Sequence, residues 1–186
     1  MTAPVIVVSG LPASGKTTLA RRLSAALRLP LLSLDTIKEA IVDEITVEDR
    51  FAVRSAAREI VARLVQDSPA GCLVDIWVNP VRDTRDVADR LGAIAGVSYL
   101  EVVCRVPTEQ AVERYAVRTR HPAHLAAGDD DALTRIREAG PKIASLGLGP
   151  AYDVDTSDES DDEAQLAAVL DWLARHKVDA PARQVS

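Results

Sequence analysis

Cysteine is almost missing from this sequence: Cys72 and Cys104 are the only two in 186 residues. Each sits in an apolar run that reads as a buried strand. The pair therefore reads as two reduced thiols and not as a disulfide framework. An excess of positive charge is missing as well. With 22 Lys and Arg against 28 Asp and Glu, the formal net charge is −6. Nothing in the chain as a whole attracts nucleic acid or an anionic membrane, although a local basic pocket for phosphate is compatible with that charge. No apolar stretch approaches the roughly 20 residues that cross a bilayer. The short apolar start lacks the basic flank of a secretory leader. These absences read together as a cytoplasmic protein.

What is present is 47% hydrophobic and 27% charged, enough for a packed core and too apolar for a disordered chain. No internal repeat is visible. The expectation is one domain over 1–177 and a tail over 178–186.

Short β-branched runs alternate with segments of helical spacing. Strands are expected at Val5–Ser9, Leu29–Leu34, Gly71–Val78, Val97–Val106 and, more weakly, Tyr152–Val154. Helices are expected at Gly15–Leu27, Asp35–Val42, Thr46–Gln66, Pro80–Ala95, Thr108–Arg118, Asp131–Ser145 and Asp161–Arg175. Thr46 with Asp49 reads as the cap of the third of these. Asp129–Asp131 reads as the cap of the sixth or as solvated charge. Such alternation predicts an α/β domain, a parallel sheet covered by helices on both faces.

The first strand runs into Gly10-Leu11-Pro12-Ala13-Ser14-Gly15-Lys16-Thr17 and then a helix. Every position of the phosphate-loop pattern G-x-x-x-x-G-K-[ST] is filled, in the right structural context. Glycine at 10 and 15 permits the backbone angles that turn successive N–H groups inward. Those groups, from Ala13 to Thr18, and the helix N-terminus can cradle phosphate oxygens. Lys16 supplies a cation to the β- and γ-phosphates, and the Thr17 hydroxyl is suited to Mg²⁺. ATP and Mg²⁺ are the implied ligands.

Other candidates lie at strand ends and on helix faces. Asp75 closes the apolar run Cys72-Leu73-Val74, the arrangement in which an acid holds Mg²⁺ through water. Asp35 follows the second strand, where a carboxylate reaches the ligand crevice and can orient a hydroxyl for in-line attack. It also reads as a cap of the next helix. Arg114 and Arg118, four apart, share one helix face and repel each other unless an anion sits nearby; Arg120 follows. Arg54, Arg58 and Glu59 lie on the polar side of the long third helix, where one of them, Arg54 first, can reach an acceptor or all can simply face solvent. His121 and His124 have no cysteine or acidic partner at metal-binding spacing and read as loop residues.

Four segments, Gly10–Thr18, Leu34–Lys38, Leu73–Trp77 and Arg114–His124, together with Asp153–Ser157, resemble the adenylate kinase-like branch of P-loop proteins. The chain looks most like its hydroxyl kinases: shikimate kinase, gluconate kinase, chloramphenicol phosphotransferase and the zeta-toxin kinases. That resemblance implies a five-stranded sheet of order 2-3-1-4-5 and a short lid at about 118–131. It implies transfer of the ATP γ-phosphate to a hydroxyl of a small molecule, with Asp35 facing the acceptor and taking its proton. Arg114 then packs on adenine, and Arg118 or Arg120 touches the γ-phosphate. Lys38, Trp77 and Asn79 fall near the acceptor. A nucleoside-monophosphate kinase is the nearest alternative, although its Gly-Phe-Pro-Arg signature is replaced by Asp75-Ile76-Trp77-Val78-Asn79-Pro80. A non-catalytic ATP-binding module is the other.

Overall fold

The structure is a computed structural model that describes residues 2–46, 49–119, 121–124, 130–158 and 161–178. It contains β1 (Ala3–Gly10), α1 (Lys16–Leu27), β2 (Leu31–Ser33), α2 (Leu34–Glu44), α3 (Arg50–Gln66), β3 (Cys72–Asp75) and α4 (Thr84–Gly92). Then come β4 (Val97–Arg105), α5 (Thr108–Ala116), α6 (Asp130–Ala139), β5 (Ala151–Asp155) and α7 (Asp162–Arg175). All five strands are parallel, in the order β2-β3-β1-β4-β5. The implied sheet order and the three-layer arrangement are both present.

The alternation of side chains along β1 builds the layers. Ile6 and Val8 pack with Leu19 and Leu23 of α1 and Val169 and Leu173 of α7. Val5 and Val7 face the other way, onto Ala57, Val61 and Val65 of α3 and Val87 and Leu91 of α4. All four β1 residues are fully buried, at roughly 1.5–3 kcal/mol for each large aliphatic side chain. A third cluster joins Leu11 and Ala13 to Tyr115 of α5 and Ile136 of α6. It anchors the helices beside the loop that follows β1. Both cysteines are buried and unpaired. Burial pushes the Cys72 thiol up to about 11 and the Cys104 thiol up to about 12, so neither is a ready nucleophile. No helix among the described residues is long and apolar enough to cross a membrane.

Several expected boundaries move, each for a local reason. The third helix starts at Arg50 and not at Thr46, because the Asp49 carboxylate caps it by accepting the Phe51 N–H at 2.7 Å. The fourth starts at Thr84. Before it, Asn79 folds the chain into a turn, its side-chain oxygen taking the Val81 N–H and its carbonyl taking the N–H groups of Arg82 and Asp83. The third strand stops at Asp75, leaving residues 76–79 to cross the sheet edge. The sixth helix ends at Ala139, and Gly140-Pro141 continues only as a 3₁₀ turn.

Glu101, in the middle of β4, is fully buried. Its carboxylate accepts the N–H of Leu146 and, at 2.8 Å, that of Leu148. These bonds fold the 146–148 turn against the sheet, with Gly147 at φ 77°.

Candidate active site

A parallel sheet presents its ligand crevice at the carboxyl ends of its strands. Here β1 is central, and its end opens directly into the phosphate loop. Gly10 has φ 149°, and a side chain there would place Cβ 2.7 Å from both the Cys104 carbonyl and Ser14 Oγ. Ala13 and Gly15 also take positive φ, 62° and 85°. α1 begins with no side chain capping its N-terminus and no acid in its first turn, which leaves its dipole end free for an anion. The loop is braced from behind. Thr156, after β5, donates its hydroxyl to the Ser14 carbonyl at 2.6 Å, and its Oγ1 also lies 3.0 Å from the Arg105 carbonyl.

Lys16 and Asp75 are both buried. Asp75 Oδ2 accepts the Thr17 hydroxyl at 2.8 Å and faces the Ser33 hydroxyl at 3.3 Å. Its other oxygen, Oδ1, is buried with no hydrogen-bond partner among the described residues. An unsatisfied carboxylate oxygen beside a threonine hydroxyl is a hard, oxygen-only donor set, and it fits Mg²⁺. Thr17 and Asp75, the two residues expected at the metal, are in direct contact. Ser33 escaped the sequence reading, since a serine closing a short strand carries no motif.

Asp35 lies in the first turn of α2. The cap of that helix is Ser33, whose oxygen faces the Thr36 N–H, so capping is not the role of Asp35. Lys38 donates to Asp35 Oδ1 at 2.9 Å. Burial pushes the Asp35 carboxyl up, but Lys38, Lys16 and His124 together outweigh burial and hold it at about 2. Such a carboxylate orients a donor well and is a weak base.

Between the phosphate loop, α2, α3 and α6 lies a cavity of about 420 Å³. Asp35, Lys38, Arg54, Trp77 and Asn79, the proposed acceptor-side residues, all line it, as do Lys16, Thr17 and Arg118. Glu59 does not. It points along the outer face, bonded to Arg63 and Arg90. The lining contains residues that no motif announced: Arg50, Phe51, Arg82, Asp83 and Arg135. Asp83 is their organiser, within 3.1 Å of Arg58 and 2.9 Å of Arg82, with Arg54 at 3.8 Å. Burial pushes the Asp83 carboxyl up, but Arg82 and Arg58 outweigh burial and leave it below its usual range. Burial and the neighbouring Arg82 press the Arg54 guanidinium downward. Arg54 also lies over the Phe51 ring, 4.9 Å from its centroid.

A second cavity, about 280 Å³, opens on the other side of the phosphate loop between Gly15, Thr18, Arg114, Arg118 and Gln165. Arg22 spans its mouth to Asp162 at 3.2 Å and to Glu163. Arg114 is held by its fork, donating to the carbonyls of Thr156 at 3.0 Å and Ser157 at 2.7 Å. Arg118 lines both cavities. Arg120 lies outside the described residues, as do 125–129 of the stretch assigned to the lid. Within that stretch, His121–His124 folds onto α2, with His121 Nε2 2.9 Å from Asp43 and His124 Nε2 2.8 Å from Glu39. The acidic partners that sequence spacing did not show are thus supplied by another helix. Among the described residues, however, no group of three or more His, Cys, Asp or Glu side chains could hold a metal ion.

A phosphate loop, a buried carboxylate bonded to its threonine and two adjoining cavities on a 2-3-1-4-5 sheet define a P-loop kinase of the small-molecule type. The family model described as "AAA domain" matches residues 5–140, and the chain belongs to that family. It is similar to shikimate kinase of Thermobifida fusca (strain YX), with 31% identity over 166 residues, 87% of this chain and 90% of that protein. Among solved structures it resembles a candidate kinase from Chloroflexus aurantiacus J-10-fl. The TM-score is 0.78 at 30% identity, covering 95% of this chain and 99% of that one. Shikimate kinase from Acinetobacter baumannii, solved with shikimate, shares the fold at TM-score 0.66 and 16% identity, covering 94% and 95%.

Proposed function

We propose that this kinase moves the γ-phosphate of ATP to a hydroxyl of a small molecule that also carries a negative charge. One observation carries the reading: Asp35 and the end of the phosphate loop, Lys16 and Thr17, line the same cavity. In that arrangement the acceptor hydroxyl lies in line with the phosphate held by the α1 N-terminus and Lys16. The acceptor oxygen bonds to Pγ, the bond from Pγ to the β–γ bridging oxygen breaks, and ADP departs. Asp35 accepts the hydroxyl's hydrogen bond throughout. It takes the proton only as the new P–O bond forms and the hydroxyl becomes strongly acidic, then passes it to water. Arg118 offsets charge on the phosphate in transit. Arg114, fixed on the carbonyls after β5, forms one wall of the base site. Thr17 and Asp75 are the residues that would hold Mg²⁺, which when bound neutralises triphosphate charge.

The charge of the acceptor follows from the wall of the cavity. Among the described residues, eight Lys or Arg side chains line it against two carboxylates, Asp35 and Asp83. Asp83 is already shared among three arginines, one of which, Arg58, has a buried Nε with no partner among the described residues. Crowded, partly buried cations favour a ligand that brings the missing counter-charge. Shikimate and gluconate, hydroxyl-bearing carboxylates, have this chemistry. So has a nucleoside monophosphate, whose phosphate is both anion and acceptor.

The experiment is transfer from radiolabelled ATP to a panel of shikimate, D-gluconate, AMP and neutral glycerol. Labelled phosphate ester is expected on an anionic probe and not on glycerol, with Arg54→Gln raising KM for that probe about tenfold or more. A labelled diphosphate from AMP alone would establish the monophosphate-kinase reading instead. Equal use of glycerol and the anionic probes would defeat the charge argument.

A further inference from the structure

His124 lines the acceptor site, and the reaction above leaves it unused. It ends a tight turn, its N–H bonded to the His121 carbonyl at 2.9 Å, and the turn is stiffened by the Ala123 N–H on His121 Nδ1 at 3.1 Å. Its side chain is only 8% exposed, in a segment rich in polar residues. The ring reaches three consecutive charges on one face of α2. Nε2 lies 2.8 Å from Glu39 Oε1, and Nδ1 lies 3.4 Å from Lys38 Nζ and 4.0 Å from Asp35 Oδ1. Lys38 in turn donates to Asp35.

The contacts with Lys38 and Glu39 favour one form of the ring. An ammonium has donors only, so a nitrogen bonded to Lys38 must present its lone pair. That nitrogen is Nδ1. The hydrogen then sits on Nε2, aimed at a carboxylate that can only accept. A neutral ring with Nε2–H satisfies both contacts. A doubly protonated ring sets Nδ1–H against the ammonium, although Asp35 and Glu39 attract it.

We propose that His124 is a positioning residue of the acceptor site: its neutral ring accepts from Lys38 and donates to Glu39, and so holds Lys38 on Asp35. The inference rests on the phosphotransfer reading, because it assigns a purpose to the carboxylate that faces the acceptor. With Lys38 held between the ring and Asp35, the carboxylate is fixed in direction and its second oxygen is left for the acceptor hydroxyl. Protonating the ring pushes Lys38 away and loosens Asp35. The charged groups of α2 that face the ring are Asp35, Lys38 and Glu39. Lys16, which acts on Asp35 from the phosphate loop, and Arg118 and Arg135, on the walls of the same cavity, add positive potential.

Two measurements on the full chain test this. The first is imidazole nitrogen NMR, with His124 assigned by comparison with His124→Gln. The expected ring is the Nε2–H tautomer at pH 8, titrating about half a pH unit or more higher in Lys38→Met and lower in Glu39→Gln. An Nδ1–H tautomer, or a titration blind to both substitutions, overturns the proposal. The second is the pH profile of kcat and KM with MgATP and whichever panel probe the wild type phosphorylates. Gln at 124 can accept and donate as the neutral ring does but cannot titrate. Accordingly His124→Gln should keep most of kcat and lose the fall in activity on the acid side. His124→Ala should lose about tenfold in kcat with KM for ATP unchanged. Equal losses in both variants with an unaltered profile would mean packing alone and would overturn the proposal. A wild type inert toward every probe counts against the phosphotransfer reading, while the NMR result still decides the ring's hydrogen-bonding role.

Discussion

The Thr17 hydroxyl donates to Asp75 Oδ2 at 2.8 Å across a sequence separation of 58. This bond ties the first turn of α1 to the end of β3 and orients the carboxylate whose other oxygen is buried without a partner. Asp75→Asn keeps the shape but halves the anionic oxygen supply. The Mg²⁺ concentration giving half-maximal ATP turnover is expected to rise about 10–100-fold, with thermal unfolding little changed. A magnesium titration of the variant checks it, and an unchanged requirement would remove Asp75 from the metal site.

Lys16→Met should lower ATP turnover about 10²–10³-fold. Its ammonium is buried against the phosphate loop, and methionine fills nearly the same volume without the charge. Steady-state kinetics with a melting curve separate the chemical loss from any loss of fold.

Gly10→Ala is a test of the loop's geometry. The added methyl would meet the Cys104 carbonyl and Ser14 Oγ, each at 2.7 Å, at a φ of 149°. Carbonyl backbone cannot step aside as a long side chain can. ATP affinity should fall about tenfold or more, read by calorimetric titration. Full affinity would show that the loop relaxes freely.

The Asp35 carboxyl, held at about 2, lies below its ordinary 3.8. Its contribution to folding is therefore present above pH 3.8 and is lost as pH falls toward 2. Acid unfolding of Asp35→Asn should lack that component, so the two proteins' stabilities converge below about pH 2 and diverge above about pH 4. In the same variant, transfer to the acceptor should drop about 10²–10⁴-fold while ATP binding persists. An acid limb between pH 5 and 7 is not expected from Asp35 itself. Differential scanning calorimetry across pH 2–7 and single-turnover transfer assays check the two halves.

Much of this was legible in the chain. The phosphate loop was, because its chemistry is local: glycines, lysine and threonine at fixed spacing are all needed within one turn. The sheet was, because buried parallel strands are short β-branched runs, and β1 shows one plainly. The cation wall was not. Arg54, Arg82 and Arg135 come from three separate segments, and only the packing of α3, the Asn79 turn and α6 brings them together. The same holds for His124, whose acidic partner Glu39 lies 85 positions away. Boundaries failed where one side chain redirected a few backbone bonds, as Asp49 does at the start of α3 and Asn79 does before α4.

Glu101 offers a stability test apart from the site. Replacing it with Ala leaves the Leu146 and Leu148 N–H groups without their buried acceptor. A loss of about 2–3 kcal/mol is expected, or a Tm lower by roughly 5–10 °C for a chain of this size. Denaturant titration measures it directly.

The Thr156 hydroxyl against the Ser14 carbonyl means that the mould for a triphosphate is finished from the far end of the polypeptide. A ribosome that has made every letter from Gly10 to Thr17 has not yet made the hydroxyl that braces them. That arrives some 140 residues later, so a nascent or clipped chain can carry the full motif and still lack this support.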